Sequence, residues 1–312
     1  MSRIDLNRKF NTGCEKGCNK EERLKRTEND SCMLTKSIND NLSVRCVGEW
    51  AEEKIYLLYQ YFGIFAVGMK NKWPLNYIEI CSGPGVCINR QNGNEFDGTA
   101  LSIMKHEQFQ YINRALFYDY DNSVVEVLNQ RITNLNLNHK AVAKIGDYNN
   151  PDSICNDLKT LGPNCLNLIF IDPTDCSVPF SLIEGIINTL KHADLIINVA
   201  TMTDFNRNIQ MAFGDPKRAE KYNRFLGTSQ YFTSLDNRAL CTSKNYLKLR
   251  ESFRKTYQDS LKRIGFKYFN YTSVKSFYDI LYATSNEKGI EFWKKASKTI
   301  DSSGQRSLDF GI

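Results

Sequence analysis

The most informative stretch of the chain is Leu75-Asn-Tyr-Ile-Glu-Ile-Cys-Ser-Gly-Pro-Gly85. Its first six residues have the length and apolar character of a buried strand, and its last five form a glycine-containing turn. Glycine lets the backbone of such a turn pass close to a ligand, and proline stiffens it. A Gly-Pro-Gly sequence is also often a simple turn, so both interpretations stay open. The next helix is expected only near Gly98, whereas a dinucleotide-binding fingerprint enters its helix at once.

Strands and helices alternate on the C-terminal side of this stretch. Apolar runs predict further strands at 115–118, 141–145, 166–171 and 193–199. Helical periodicity predicts helices at 49–62, 122–135, 151–161 and 179–190. Such alternation implies right-handed crossovers and a parallel sheet that is covered on both faces.

The end of the chain breaks this alternation. A long basic helix is predicted at 246–264, with Gly265 as its cap, and a final helix at 287–300. Between them, strands predicted at 266–274 and 277–284 are joined by a link too short for a parallel crossover, so they form an antiparallel hairpin. The predicted fold class is α/β, with a doubly wound, mostly parallel sheet that ends in an antiparallel hairpin. This topology is similar to the Rossmann fold of class I S-adenosylmethionine-dependent methyltransferases.

Acidic residues stand near the ends of four predicted strands, at Glu79, Asp119, Asp147 and Asp172. Ligands of open α/β sheets bind beyond these ends, where a carboxylate can accept hydrogen bonds from a ribose. We expect Asp119 to bind the ribose and Asp147 the adenine amino group of a cationic, ribose-bearing cofactor. The alternative for this turn is helix capping, which Asp121 can perform. The absence of a Gly-Lys-Ser/Thr motif argues against a P-loop enzyme.

Composition narrows the class of protein. The 312 residues are 41% hydrophobic and 24% charged, which excludes wholesale disorder and fibrous folds. The longest apolar runs are strand-sized, and the charged first twenty residues do not resemble a signal peptide. Ten cysteines are too few for a disulfide scaffold, so we expect reduced thiols and a cytoplasmic protein.

Charge divides the chain into three parts. The net charge is +3 over residues 1–46, −6 over 47–202 and +9 over 203–312. We therefore predict an irregular N-terminal arm at 1–46, an α/β domain at 47–300 with a basic helical segment at 203–264, and a tail at 301–312. The acidic middle and the basic C-terminal third are expected to bind different partners.

The arm contains four cysteines with a possible metal-binding role: Cys14, Cys18, Cys32 and Cys46. Four thiolates can hold zinc, and Cys-x3-Cys is a permitted first pair, but the second pair is widely spaced. A solvated, partly disordered arm without metal is the alternative.

Short motifs in a common order carry a resemblance to the three-Cys-motif partner (TcmP) proteins. They are Trp50-x3-Lys54, Tyr77-Ile78-Glu79-x-Cys81-Ser82-Gly83-Pro84-Gly85, Gly98-Thr99, Tyr118-Asp119-Tyr120-Asp121, Gly146-Asp147-x-Asn149, Phe170-Ile171-Asp172-Pro173, Asp194-Leu195-Ile196-Ile197-Asn198, Arg207, Arg224-Phe225-Leu226-Gly227 and Gly265-Phe266. The resemblance covers roughly residues 48–300. It implies a Rossmann-like, methyltransferase-related protein, typically encoded beside a radical-SAM-like protein that carries a three-cysteine motif. Cys14 and Cys18 lack the third cysteine of that motif, so this chain resembles the partner.

The resemblance leaves two functions open. One is methyl transfer from S-adenosylmethionine. The other is a non-catalytic or differently catalytic subunit that docks a radical-SAM-like protein, in a defence or mobile-element setting.

The segment after the fourth predicted strand is similar to the Asp-Pro-Pro-aromatic loop of amino-methyltransferases. That similarity implies catalytic roles for Asp172, Pro173 and Asp175, with an acceptor amine held near Asp172. Thr174 replaces the second proline and Asp175 the aromatic residue, so the stacking ring is missing here. The expected cofactor-binding residues are Glu79, Cys81, Ser82, Gly83, Pro84, Gly85, Asp119, Asp121, Gly146 and Asp147.

The basic C-terminal third suggests nucleic acid as the macromolecular partner. The candidate phosphate-binding residues are Lys217, Arg218, Lys248, Arg250, Arg254, Lys255, Lys262 and Arg263. Aromatic residues between them could stack on bases. The alternative is a solvated cationic helix face whose aromatic residues, such as Phe253 and Tyr257, pack into the core.

Overall fold

The computed structural model describes residues 36–90, 92–275 and 277–298. Its ten strands are β1 (Arg45–Val47), β2 (Leu75–Ile80), β3 (Val86–Asn89), β4 (Glu95–Asp97), β5 (Ile112–Asp119), β6 (Ala141–Ile145), β7 (Leu166–Ile171), β8 (Ala193–Val199), β9 (Tyr268–Val274) and β10 (Tyr278–Thr284). Seven of them form the central sheet, in the order β6-β5-β2-β7-β8-β10-β9.

The central sheet confirms the predicted fold class. The pairs β6–β5, β5–β2, β2–β7 and β7–β8 are parallel, and β10 runs antiparallel to both β8 and β9. All six residues of β2 are buried, as expected for a strand at the centre of a covered sheet. The chain leaves β2 toward one edge, returns, and continues from β7 toward the other edge. The strand order therefore reverses between β2 and β7.

Helices cover both faces of this sheet. They are α1 (Trp50–Met69), α2 (Thr99–Met104), α3 (Asn122–Asn134), α4 (Pro151–Leu158), α5 (Phe180–Thr189), α6 (Asn206–Gly214), α7 (Pro216–Leu226), α8 (Gln230–Thr233), α9 (Leu235–Thr242), α10 (Tyr246–Arg263) and α11 (Glu287–Ser297). Phe62 of α1 and Trp293 of α11 belong to one large hydrophobic core, and Ile183 of α5 and Phe253 of α10 to the other. The first helix continues seven residues past its predicted end because its apolar face continues through Phe65 and Ala66.

A small second sheet is the main feature that sequence patterning missed. The long connection from β2 to α2 contains β3 and β4, which form a hairpin, and β1 pairs in parallel with β3. Strands of three or four residues have no measurable periodicity, so the connection was expected to be a loop. The second sheet brings residues from the predicted arm beside the glycine turn.

A buried arginine fixes this second sheet to the rest of the fold. Arg131 of α3 is 3% exposed. Its guanidinium donates to both carboxylate oxygens of Asp40, at 2.8 and 3.0 Å, to Ser43 O at 2.9 Å and to Pro84 O at 2.6 Å. One side chain thus ties the segment before β1 to the glycine turn, and it satisfies backbone carbonyls that would otherwise be buried without partners.

Cys14, Cys18 and Cys32 of the possible zinc site lie outside the described residues. Cys46 lies buried in β1, and no group of three potential metal ligands occurs in the part of the chain that the structure describes. Among the described helices, none combines the length and the apolar character needed to cross a membrane.

A candidate cofactor site at the carboxyl edge of the sheet

The turns that follow β2 and β7 meet at the point where the strand order reverses. Ligands of open α/β sheets bind at such a point, beyond the carboxyl ends of the strands. Two adjoining cavities lie here, and the residues that line both are Arg45, Cys81, Gly83, Pro84, Asp172, Pro173 and Thr174. We call the two cavities together the cleft.

One half of the cleft is organised around Asp119, the last residue of β5. Its Oδ2 accepts a hydrogen bond from Gly83 N at 3.0 Å, and its Oδ1 accepts from Asp121 N at 3.2 Å. Each oxygen keeps a second lone pair for a ligand. Gly83 and Gly85 have φ angles of +65° and +94°, in the region that favours glycine, so the turn can bend toward the carboxylate.

Tyr120, Asp121 and Tyr148 line the same half. Asp121 also caps α3, accepting from Ser123 N at 2.8 Å, as the alternative interpretation of this turn expected. The Tyr120 side chain is 65% exposed, which is unusual for a large ring beside a cavity. Tyr148 Oη and Ser177 Oγ form a hydrogen bond at 3.0 Å that joins the turns after β6 and β7.

The other half of the cleft is organised around Asp172, which follows β7. Lys54 of α1 donates to both carboxylate oxygens, at 2.6 and 2.5 Å. Asn198 of β8 donates to Asp172 Oδ1 at 2.9 Å and to Pro173 O at 3.2 Å. The Lys54 and Asp172 side chains are only 12% and 14% exposed, so this ion pair is poorly screened by water.

An aromatic wall stands beside this ion pair. Trp50, one turn before Lys54 on α1, stacks on Phe277 with ring centroids 4.2 Å apart, and its ring centroid lies 6.4 Å from that of Tyr278. Trp50 and Tyr278 both line the cleft. Burial is the main cause of a raised pKa at Tyr278, so its hydroxyl stays protonated and can donate.

Glu79 lies beneath the cleft and does not line it. Its carboxyl group is completely buried, and accepts hydrogen bonds from Tyr77 Oη at 2.8 Å and from Thr99 Oγ1. Burial raises the pKa of Glu79 to about 8. Position 79 precedes the last residue of β2, so its side chain is enclosed within the sheet layer, whereas Asp119 is terminal in β5.

The remaining predicted site residues occupy the rim and the turns. Ser82 and Gly85 line the half that contains Lys54, and Asp175 lines the half that contains Asp119. Asp175 forms an ion pair with Lys221 of α7 at 2.9 Å. Gly146 donates to Asp119 O at 2.9 Å, whereas the exposed Asp147 accepts from Asn149 N and lines neither cavity.

The cleft residues without a role predicted from the sequence include Arg45, Lys54 and Asn198. Lys54 belongs to the motif Trp50-x3-Lys54, whose helical spacing puts both side chains on one face of α1. This spacing was the available signal, but nothing local connects position 54 with position 172. Arg45 received no predicted role because it falls within the arm predicted at 1–46, outside the α/β domain.

The basic helical segment has a different structure. Phe253 and Tyr257 of α10 are completely buried and pack against Phe225, with centroid separations of 5.9 and 4.5 Å. Base stacking by Phe253 and Tyr257 is therefore wrong as an expectation, because both rings are part of the core. The alternative, a cationic helix face over buried aromatic rings, describes these two positions.

Most candidate phosphate-binding cations already have partners. Lys255 and Lys262 both pair with Asp259, Arg218 pairs with Asp215, and Arg254 pairs with Asp279. Arg250 contacts Met202 Sδ, and Arg263 donates to Gly227 O at 3.0 Å. Lys217 and Lys248 are exposed, and neither forms an ion pair with another described residue.

Comparisons with family models and with curated proteins find no match. Among solved structures, the O-methyltransferase TomG from Streptomyces achromogenes, in complex with SAM, is 12% identical at a TM-score of 0.41. This match covers 75% of our chain and 80% of TomG. An O-methyltransferase from Bacillus cereus, in complex with SAH, is 12% identical at a TM-score of 0.35, covering 72% and 80% of the two chains. A Legionella pneumophila protein is 12% identical at a TM-score of 0.46, covering 84% and 96%.

Proposed function

We propose that the chain is an S-adenosylmethionine-dependent methyltransferase whose cofactor binds in the cleft. The observation that carries the proposal is Asp119, a buried carboxylate at the carboxyl edge of the sheet. It is held by the N–H of Gly83 and keeps free lone pairs toward a cavity. A carboxylate so oriented accepts hydrogen bonds from vicinal hydroxyl groups, which are the signature of a ribose.

The charge of the cleft fits this cofactor. S-adenosylmethionine supplies a methyl group bound to a positively charged sulfur. Four carboxylate residues line the cleft, at Asp119, Asp121, Asp172 and Asp175, against two cations, Arg45 and Lys54. This excess of negative charge favours a sulfonium and disfavours the phosphates of a dinucleotide. Gly83 and Gly85 leave room for the methionine moiety along the turn, and Tyr120 offers a ring face to the adenine.

The finer proposal is that the acceptor is an amino group of a nucleic acid, held near Asp172. Lys54 and Asn198 already occupy three acceptor positions of that carboxylate, so Oδ2 keeps one for an amine. Trp50 and Tyr278 supply an aromatic surface close to Asp172, from outside the loop in which the stacking ring is missing. Stacking on such a surface holds a planar base in one orientation, and orientation is a large part of catalysis of this kind.

Methyl transfer to defined acceptors tests this proposal. Purified chain is incubated with methyl-labelled S-adenosylmethionine and with separate pools of DNA, RNA and protein from a bacterial lysate. We expect label in DNA or RNA, and its loss in Asp172→Asn, which keeps the shape of the side chain but removes the charge that pairs with Lys54. Label in protein alone would contradict the nucleic-acid acceptor, and label from Asp172→Asn at the wild-type rate would contradict the role of Asp172.

A second candidate function is a subunit that docks a radical-SAM-like partner, as the TcmP resemblance implies. Exposed apolar side chains on the basic helical segment favour a protein partner there: Leu247 is 60% and Met211 45% exposed. The residues that precede them in the sequence are joined, since Tyr246 Oη donates a hydrogen bond to Gln210 Oε1 at 3.2 Å. This candidate predicts no transfer by the chain alone, and a complex with the partner on co-expression that Leu247→Asp disrupts.

A further inference from the structure

The side chain of Arg45 has no partner among the residues that the structure describes. Arg45 is the first residue of β1 and lines both halves of the cleft. A Cβ atom added to Gly83 would lie 3.6 Å from Arg45 Nη1, so the guanidinium extends over the glycine turn. Within the described ranges, this guanidinium forms no hydrogen bond and no ion pair, although every other charged group of comparable burial in the cleft has a partner.

The position of Arg45 is fixed by its backbone. Its Cα pairs with that of Cys87 in the parallel register of β1 and β3. The segment before it is anchored by Arg131, which binds Asp40 and the Pro84 carbonyl. The flanking residues Val44 and Cys46 are buried. The guanidinium is therefore presented to the cleft by a rigid element and is available to bind a ligand.

Charge identifies the kind of group that Arg45 binds. Lys54 is neutralised by Asp172, and each oxygen of Asp119 accepts from one backbone N–H group. A half-buried guanidinium without a partner among the described residues favours an anion with two coplanar oxygens, which a carboxylate provides. The cofactor of the proposed function has one anionic group, the α-carboxylate of its methionine moiety, and the glycine turn is where that moiety has room.

We propose that Arg45 binds the α-carboxylate of the cofactor, so that a residue outside the central sheet completes the cofactor site. The inference rests on the proposed function, and it assigns the orientation of the cofactor in the cleft: methionine moiety under Arg45 and adenosine toward Asp119 and Tyr120. It also gives the second sheet a role, because the pairing of β1 with β3 holds Arg45 beside the cleft.

Calorimetry with two ligands that differ only in the carboxylate tests the assignment. The full chain is titrated with S-adenosylhomocysteine and with its decarboxylated analogue. Wild type is expected to prefer S-adenosylhomocysteine by roughly 10- to 100-fold, which corresponds to about 1.4 to 2.7 kcal/mol for one charge-assisted contact. Arg45→Met is expected to lose that preference, by weakening S-adenosylhomocysteine and leaving the analogue unchanged.

Two controls separate this effect from misfolding. Arg114→Met removes an exposed arginine at the opposite end of β5 and is expected to change neither affinity. Arg45→Lys is expected to retain part of the preference, because it keeps the charge without the planar fork. Retained binding of the decarboxylated analogue by Arg45→Met would itself show that the cleft is intact.

The possible outcomes separate failure of the proposed function from failure of the assignment of Arg45. Failure of wild type to bind either ligand would overturn the proposed function and the inference with it. Binding of both ligands with equal affinity by wild type, or an undiminished preference in Arg45→Met, would overturn the inference alone. The same holds if Arg45→Met weakens nucleic-acid binding and leaves S-adenosylhomocysteine unaffected, since the arginine would then serve an acceptor phosphate.

Discussion

The acidic cleft and the basic helical segment are both strongly charged, but their charged side chains lie in different environments. In the cleft, Asp119 and Arg45 face a cavity with hydrogen-bonding capacity to spare. In the segment, cations such as Lys255 and Lys262 are paired with neighbouring carboxylates, and Phe253 and Tyr257 are enclosed. The net charge of a sequence segment does not distinguish a cleft that can bind a ligand from a helix face whose charges are already paired. What separates them is whether a charged group already has a partner in the fold.

The largest expected effect is the loss of Asp119. We expect Asp119→Ala to weaken S-adenosylhomocysteine at least 100-fold, because two hydrogen bonds from ribose hydroxyls to one carboxylate are lost, at roughly 1.5 to 3 kcal/mol each. Asp121→Ala is the comparison variant: it removes the N-cap of α3 and a charge from the same half of the cleft but keeps the carboxylate that accepts from Gly83 N, so a smaller loss is expected. Calorimetry measures both. Equal losses of affinity in the two variants would mean that binding depends only on the total charge of the cleft. That result would contradict a specific role of Asp119 in binding the ribose.

A large effect on stability is expected for Phe253→Ala. Removal of a completely buried ring leaves a cavity and costs about 3 to 5 kcal/mol in the free energy of unfolding. Urea denaturation measures this cost, and filter binding measures nucleic-acid affinity under conditions where the variant is folded. Unchanged stability together with a large loss of nucleic-acid affinity would show that the ring stacks on bases and does not belong to the core. This result would contradict the difference described above between the cleft and the basic helical segment.

Breaking the Lys54–Asp172 pair is expected to have an intermediate effect on stability. Lys54→Met leaves a largely buried carboxylate with Asn198 as its remaining partner, which costs about 3 kcal/mol. The double variant Lys54→Met/Asp172→Asn removes both charges and is expected to recover much of that loss. Lys72→Met, an exposed lysine beyond α1, is the control. Urea denaturation of the four proteins measures these differences, and a double variant no more stable than Lys54→Met would contradict the pairing of the two charges.

The pH dependence of stability tests the burial of the Glu79 carboxyl group beneath the cleft. Burial raises its pKa to about 8, above the usual value of an unfolded chain, so the folded protein keeps a proton that the unfolded chain releases. Stability should therefore fall as pH rises from about 5 to about 8, by up to about 1.4 kcal/mol per pH unit. Glu79→Gln should remove this part of the pH dependence. Identical pH profiles of unfolding for wild type and variant would refute it.

The smallest expected effects belong to the surface lysines of the basic segment that form no ion pair with another described residue. Lys248→Gln and Lys217→Gln should each weaken nucleic-acid binding a few-fold and reduce the salt slope by about one ion. Lys255→Gln, whose ammonium is already paired with Asp259, should do less. Salt titrations of binding to one RNA and one DNA duplex measure the slopes. A larger effect of Lys255→Gln would mean that its ion pair opens to bind phosphate.

The elements of the central sheet were predictable because their physical causes are local. Buried parallel strands such as Leu166–Ile171 are continuous apolar runs, and the short link before Tyr278 permits only a hairpin. The second sheet was not predictable in this way, since its strands are too short for a pattern and β1 pairs with residues 42 positions later in the sequence.

The candidate site was predictable in part for a related reason. Strand ends point to Asp119 and Asp172, because the edge of a parallel sheet collects whatever follows its strands. The same argument included Glu79, but position 79 is not terminal in β2, and its carboxyl group is buried between Tyr77 and Thr99. Lys54, Asn198 and Arg45 reach the cleft through tertiary packing, which no local pattern records.

Binding of S-adenosylmethionine in the cleft is best tested by titrating the purified full chain with S-adenosylhomocysteine. We expect one-site binding in the micromolar range, about −8 kcal/mol, with ATP and NAD failing to compete. We also expect Asp119→Ala to lose that binding. Absence of binding, or competition by ATP or NAD at equal strength, would contradict S-adenosylmethionine as the cofactor and assign the carboxylates of the cleft to another ligand.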